Sequence, residues 1–193
     1  MTVMNAVFTP TRIRISVERY RKMRAADILT SEDCVELIEG DLLVMAPTGA
    51  RHDQVLTQLY KQLVDGGAAE AAWVVPGRMV VLGEYSEANP DLLLVNASAP
   101  RPRFRAALQP QDVLLLIEVA DGSLAFDQGV KRDLYAQYGI AEVWVVDVNA
   151  QRVFVYSQPV DGGFQQARTV HRDARLAPLA FPALTIAVAD LFA

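Results

Sequence analysis

Hydrophobic and polar positions recur along this chain with two different periods, and the switches between them predict its elements. Residues 35–45 read as two short strands around a Glu39-Gly40-Asp41 turn. Over residues 52–65 the period lengthens: Val55, Leu56, Leu59 and Leu63 recur at helical spacing, and Gly66-Gly67 ends the run. Short apolar runs at 73–75, 79–82 and 92–95 predict strands, the last of them entered through Pro90-Asp91. The most apolar run, 113–119, predicts a buried strand with one acid, Glu118, near its end. The pattern over 127–138 predicts a helix closed by Gly139. Residues 143–146 and 153–156 predict two strands around a turn, 164–170 another strand, and 188–192 a short terminal helix. Upstream, Ser16 is placed to cap a short helix through residue 27. Residues 97–112 carry three prolines and alternating arginines and predict a surface loop. This order predicts an α/β (α+β) domain, a mixed central sheet flanked by helices.

Composition narrows the class. With 193 residues, 52% hydrophobic and 21% charged, the chain suits one folded domain and excludes wholesale disorder. The lone cysteine, Cys34, excludes an intramolecular disulfide and a Cys-rich zinc site, and with only His52 and His171 beside it a structural zinc site is not expected. No run approaches the ~20 apolar residues of a membrane helix, and the N-terminus lacks a signal-peptide pattern. A soluble cytoplasmic protein, with no membrane partner, is the expectation. The net charge of -5 argues against a simple nucleic-acid binder. Basic residues nevertheless cluster at Arg12, Arg14, Arg19, Arg21, Lys22 and Arg24, and again at Arg101, Arg103 and Arg105.

The candidate chemistry lies in acids that interrupt apolar strands. Asp91 opens one such strand and Glu118 closes another, and a buried carboxylate needs a metal, a cation or solvent. Capping a strand end or pairing with an arginine would serve equally. In the helix over 127–138, Asp127, Lys131, Tyr135 and Tyr138 fall on one face. A surface pair between Asp127 and Lys131 is the plain reading, worth ~0.3–0.5 kcal/mol. The alternative folds Lys131 back over the strand end beside the two acids, completing a site for metal-dependent hydrolysis. Glu36 shares a strand face with Ile38, and its spacing predicts a half-exposed strand. His52 and Asp53 at a helix start can act as caps.

Taken in order, these segments resemble a known family. They are Val35-Glu36-Leu37-Ile38-Glu39-Gly40-Asp41-Leu42, Arg51-His52, Asn89-Pro90-Asp91-Leu92-Leu93-Leu94-Val95 and Leu115-Leu116-Ile117-Glu118-Val119-Ala120-Asp121-Gly122-Ser123. Asp127, Lys131 and Tyr135 follow, then Gly139-Ile140-Ala141-Glu142-Val143-Trp144-Val145-Val146-Asp147. The set resembles the restriction-endonuclease-like Uma-two family of the PD-(D/E)XK nuclease superfamily, from about residue 16 onward. The resemblance implies residues 1–15 as an N-terminal extension and 16–193 as a single nuclease-like domain with a restriction-endonuclease-like sheet.

The resemblance implies Asp91 as the Pro-Asp aspartate and Glu118 as the (D/E)XK acid. Ala120 stands where the superfamily lysine belongs, so Lys131 from the next helix takes that role. Glu36 is implied as a further catalytic acid, and His52 and Asp127 as accessory positions. Asp91, Glu118 and the Val119 carbonyl are the implied ligands of Mg²⁺ or Mn²⁺. DNA is the implied substrate, with Arg101, Arg103 and Arg105 or the 12–24 cluster touching its backbone. A homodimer is implied as well. Two functions therefore stand: a metal-dependent DNA endonuclease, and a catalytically inactive nuclease-fold module that binds nucleic acid or a partner. A phosphatase-like hydrolase of small substrates shares the acids but has no sequence cue of its own.

Overall fold

A computed structural model describes residues 11–98 and 107–193. Its frame is a six-stranded sheet in the order β10-β9-β8-β7-β6-β3. The strands are β3 (Ala72–Pro76), β6 (Leu92–Asn96), β7 (Val113–Ala120), β8 (Glu142–Asp147), β9 (Arg152–Val160) and β10 (Gly163–Val170). Neighbours pair antiparallel except β7 and β8, which run parallel with Glu118 opposite Val145. A parallel pair needs a crossover, and the chain between them supplies a helical one.

Both faces of this sheet are covered, which explains why β6 to β8 read as continuous apolar runs. Helix α2 (Ala50–Asp65) lays Val55, Leu59 and Leu63 against Leu92, Leu94, Leu115 and Ile117 on one face. The crossover covers the other, where Leu134, Tyr135 and Ile140 meet Leu93, Leu116 and Val143. Side chains alternate along β7, so Leu115 and Ile117 meet α2 while Leu116, Glu118 and Ala120 turn to the crossover.

A smaller antiparallel sheet, in the order β2-β1-β5-β4, stands beside the first. It comprises β1 (Val35–Ile38), β2 (Asp41–Val44), β4 (Val80–Val81) and β5 (Glu87–Ala88). Ile38 pairs with Asp41 across a two-residue turn whose φ angles are +50° at Glu39 and +88° at Gly40. A side chain at Gly40 would also strike Arg14, so the position takes glycine. Helix α1 (Val17–Ala25) packs Val17 and Tyr20 on Leu37, and the Ser16 Oγ accepts from the Arg19 amide as expected of a cap. The hairpin β11 (Arg175–Leu176) and β12 (Ile186–Ala187) and a short 3-10 turn complete the fold. Among the described residues, no helix is long and apolar enough to cross a membrane.

Two expectations need correction. The crossover helix begins earlier than residue 127: α3 (Leu124–Phe126) leads into a π-type turn, Asp127–Lys131, and then α4 (Arg132–Gln137). In that turn the Arg132 amide reaches the Asp127 carbonyl five residues back, a widening that periodicity alone does not reveal. Strand β1 is not half-exposed either. It lies between β2 and β5, with α1 packed on Leu37 and Lys131 of the crossover against Glu36, which is only 7% exposed. The loop arginines Arg101, Arg103 and Arg105 lie outside the described residues.

Candidate functional site

The open ends of β6 and β7 form the floor of a groove of about 1400 Å³ between the two sheets. Five parts of the fold send side chains to it. Asp91 comes from the start of β6 and Glu118 from the end of β7. His52 comes from α2 on one face of the sheet, Asp127 and Lys131 from the π-turn on the other, and Glu36 from β1.

Asp91 is held on both oxygens. Its Oδ2 accepts from the Val119 amide at 2.7 Å, just where the β6–β7 ladder runs out of strand. Its Oδ1 lies 3.0 Å from His52 Nε2. The other ring nitrogen of His52 sits 3.1 Å from Asp53 Oδ1. Carboxylates at both nitrogens suit an imidazolium, and the hydrogen bond to Asp91 is the main cause that raises the His52 pKa, against the opposing effect of burial. The capping role for His52 is therefore replaced by a bridge. Gly49 occupies the cap position and makes no side-chain bond there.

Lys131 joins the remaining acids. Its Nζ donates to Glu36 Oε1 at 3.1 Å and to Glu118 Oε1 at 3.2 Å, with all three side chains buried. Burial opposes the ammonium, but Glu118, Glu36 and Asp127 outweigh it and raise the pKa, so the amine stays charged. The surface-pair reading of Asp127 and Lys131 thus fails: each is less than 5% exposed, and Asp127 accepts from Ser123 Oγ at 2.5 Å. Burial is also the largest cause raising Asp127 and Glu118, the latter well above the usual carboxylate range despite Lys131. Tyr135 completes the set, donating its hydroxyl to Glu118 Oε1 at 2.5 Å. Sequence reasoning put Tyr135 on the right face but assigned it no partner. The signal was its place four residues after Lys131.

The floor therefore gathers four carboxylates around one ammonium and one imidazole, an excess of negative charge. Among the described residues, no three His, Cys, Asp or Glu side chains converge as a complete metal cage. A small hard dication does not require one, because Mg²⁺ takes one or two carboxylates and fills its shell with water and phosphate. Glu36 Oε2 is buried with no hydrogen-bond partner, an oxygen whose burial is costly unless a proton, water or cation meets it. The residues fit such an ion.

Among the described residues, most basic side chains of the 12–24 cluster have partners within the chain. Arg12 pairs with Asp41, Arg21 with Glu87 and Lys22 with Glu18, while Arg24 donates to Tyr20. Arg14 stacks on Tyr85 and donates to the Glu39 carbonyl. The N-terminal cluster is thus largely committed to holding α1 and its leading segment on the small sheet.

A mixed sheet with acids at adjacent strand ends and a lysine from the crossover is the arrangement that the resemblance to restriction-endonuclease-like nucleases implied. The Uma2 family profile, described as "Putative restriction endonuclease", matches residues 17–189. The chain belongs to that family. It is similar to the crystal structure of "a putative nuclease belonging to DUF820" from Anabaena variabilis ATCC 29413, with a TM-score of 0.73 and 18% identity over 92% of this chain and 97% of that one. It also aligns with the type IIG restriction endonuclease BpuSI at 13% identity, over 60% of this chain and 13% of that one, with a TM-score of 0.37. A comparison with curated protein sequences returned no match.

Proposed function

We propose that this protein is a metal-dependent DNA endonuclease that hydrolyses phosphodiester bonds at the groove floor. The observation that carries the reading is the meeting of Glu36 and Glu118 at a charged Lys131, beside Asp91, in one groove. Asp91, Glu118 and the Val119 carbonyl would hold Mg²⁺ or Mn²⁺, which when bound supplies Lewis-acid polarisation of the phosphate and an acidified water. Lys131 would offset negative charge growing on the phosphoryl oxygens. Glu36, through its unpartnered oxygen, would orient the attacking water. His52 would fix the rotation of Asp91, and Asp127 would hold charge balance behind Lys131. Attack by the water oxygen on phosphorus breaks the phosphorus–oxygen bond to the leaving sugar; the attacking water gives up a proton to solvent in the open groove, and the departing sugar oxygen takes one from solvent to leave as a hydroxyl.

In this reading Arg101, Arg103 and Arg105 contact the DNA backbone and the protein works in the cytoplasm as a homodimer. The test is plasmid nicking with Mg²⁺ or Mn²⁺ by the parent and by Asp91→Ala, Glu118→Ala and Lys131→Ala. Nicking by the parent that each change abolishes supports the proposal. Equal behaviour of the parent and Asp91→Ala overturns it. The inactive nuclease-fold module has one observation in its favour, the internal engagement of the basic residues around α1. It is distinguished by thermal shift with Mn²⁺: a shift lost in Glu118→Ala favours the enzyme.

A further inference from the structure

Tyr135 meets Glu118 but has no role in the reaction just described. It is fully buried on α4 and packs with Leu134 and Ile140 in the apolar layer under the crossover. A tyrosine in such a layer needs an acceptor for its hydroxyl, and a backbone carbonyl suffices. Tyr20 shows this within the same chain, donating to the Val35 carbonyl at 2.6 Å. Tyr135 instead donates to a buried carboxylate, a charge-assisted bond of the stronger kind.

The backbone explains how two donors reach one atom. After the π-turn the helix resumes α-helical spacing, so Lys131 and Tyr135, four residues apart, lie one above the other on the same stripe. That stripe faces Glu118, which the alternation of β7 turns toward the crossover. Lys131 Nζ and Tyr135 Oη both end on Oε1. A carboxylate oxygen has two lone pairs in its plane, so these donors fill Oε1 and fix the rotation of the group.

We propose that Tyr135 is the positioning residue of Glu118, occupying Oε1 together with Lys131 so that Oε2 alone is presented to a divalent cation in the groove. This rests on the reading of Glu118 as a metal anchor. It goes further by making Tyr135 part of the metal site without touching the metal. Outer hydrogen-bond partners of this kind are typically worth about 10–100-fold in metal affinity.

The experiment is calorimetric titration of Mn²⁺ into the intact parent chain, Tyr135→Phe and Asp91→Ala, with near-ultraviolet circular dichroism of each to show native packing. The expected result is binding weakened at least about tenfold in natively packed Tyr135→Phe. Parent-like affinity in Tyr135→Phe, with binding lost in Asp91→Ala, overturns the role of Tyr135 and leaves the metal site standing. A folded parent that takes up no Mn²⁺ overturns both. A second measurement needs no substitution at Tyr135. In parent protein labelled at tyrosine Cζ, saturating Mg²⁺ should move the carbon resonance of Tyr135, because its hydroxyl shares a carboxylate with the ion. A resonance that stays still while Mg²⁺ binds overturns the proposal.

Discussion

Replacing Lys131 with methionine removes the one ammonium from a buried cluster while keeping the length of its stem. At 3.1 and 3.2 Å from two carboxylates, each attraction is about 5 kcal/mol at an effective dielectric near 20. Desolvation of the ion offsets much of that sum, and breaking a buried pair typically costs ~3–5 kcal/mol net. A surface pair with Asp127 would lose only ~0.3–0.5 kcal/mol, so the two pictures differ about tenfold. A natural domain holds ~5–15 kcal/mol, so the variant should fold. The assay is urea unfolding in the presence of a chelator at pH 8 and pH 5. Without Lys131 the folded chain holds Glu118 still further above its ordinary pKa of 4.5. The folded state then binds more protons than the unfolded one above pH 4.5, and stability falls as pH rises toward the folded pKa. Lys131 itself does not titrate in this window. The deficit of Lys131→Met should be ~3–5 kcal/mol at pH 8 and smaller at pH 5, by ~1.4 kcal/mol for each unit of acid shift relieved. A deficit under ~0.5 kcal/mol, or one equal at both pH values, refutes the buried shared cation.

Other outcomes test separate parts of the structure. The raised His52 pKa contributes stability that is fully present below pH 6.5 and lost as pH rises through the folded value. The stability gap between the parent and His52→Phe should therefore narrow from pH 6 to pH 9 in urea titrations. Trp144→Phe removes the indole donor to buried Glu142 Oε1 at 2.8 Å, and should cost about 1.5–3 kcal/mol for that bond, with a further loss for reduced packing. Gly83→Ala puts a methyl 2.3 Å from the Tyr138 hydroxyl at a φ of +72°, and should cost about 2–4 kcal/mol by calorimetry. Adding Tyr138→Ala should recover the steric part, because only the backbone strain then remains of the glycine's contribution.

Much of the fold was visible in the chain because its sheet is covered on both faces. Continuous runs such as Leu92–Asn96 and Val113–Ala120 have no other comfortable state, and Gly66 and Gly139 mark the helix ends plainly. Strands of two residues such as β5 and β11 are too short to carry a period, and the sequence reading passed over them. The site was legible where a residue broke a pattern: Asp91 and Glu118 are acids in apolar strands, and the family resemblance supplied Lys131. It was illegible where meaning lay across the chain. Glu36 obeys a half-exposed alternation, and its burial depends on Lys131, 95 residues further along the chain, packing against it from the crossover. His52 sits at a helix start like a cap, and its partner Asp91 is 39 residues away.

The same comparison explains why the groove floor breaks so many local rules at once. Burying Glu36, Glu118, Asp127 and Lys131 together costs solvation, and a π-type turn interrupts an otherwise regular helix. A buried acid away from the groove floor shows the contrast: Glu142 has Trp144 and the Leu179 amide on its two oxygens. The departures cluster where the chains of β6 and β7 end, and each brings another charge toward Lys131. Natural sequences are consistent across levels except where function demands otherwise. The unpartnered Glu36 Oε2 is the part of the cluster that internal hydrogen bonds leave unfinished, while its Oε1 meets the same lysine that holds Glu118. The acid excess in the composition is thus partly a property of one site, where four carboxylates share one groove floor.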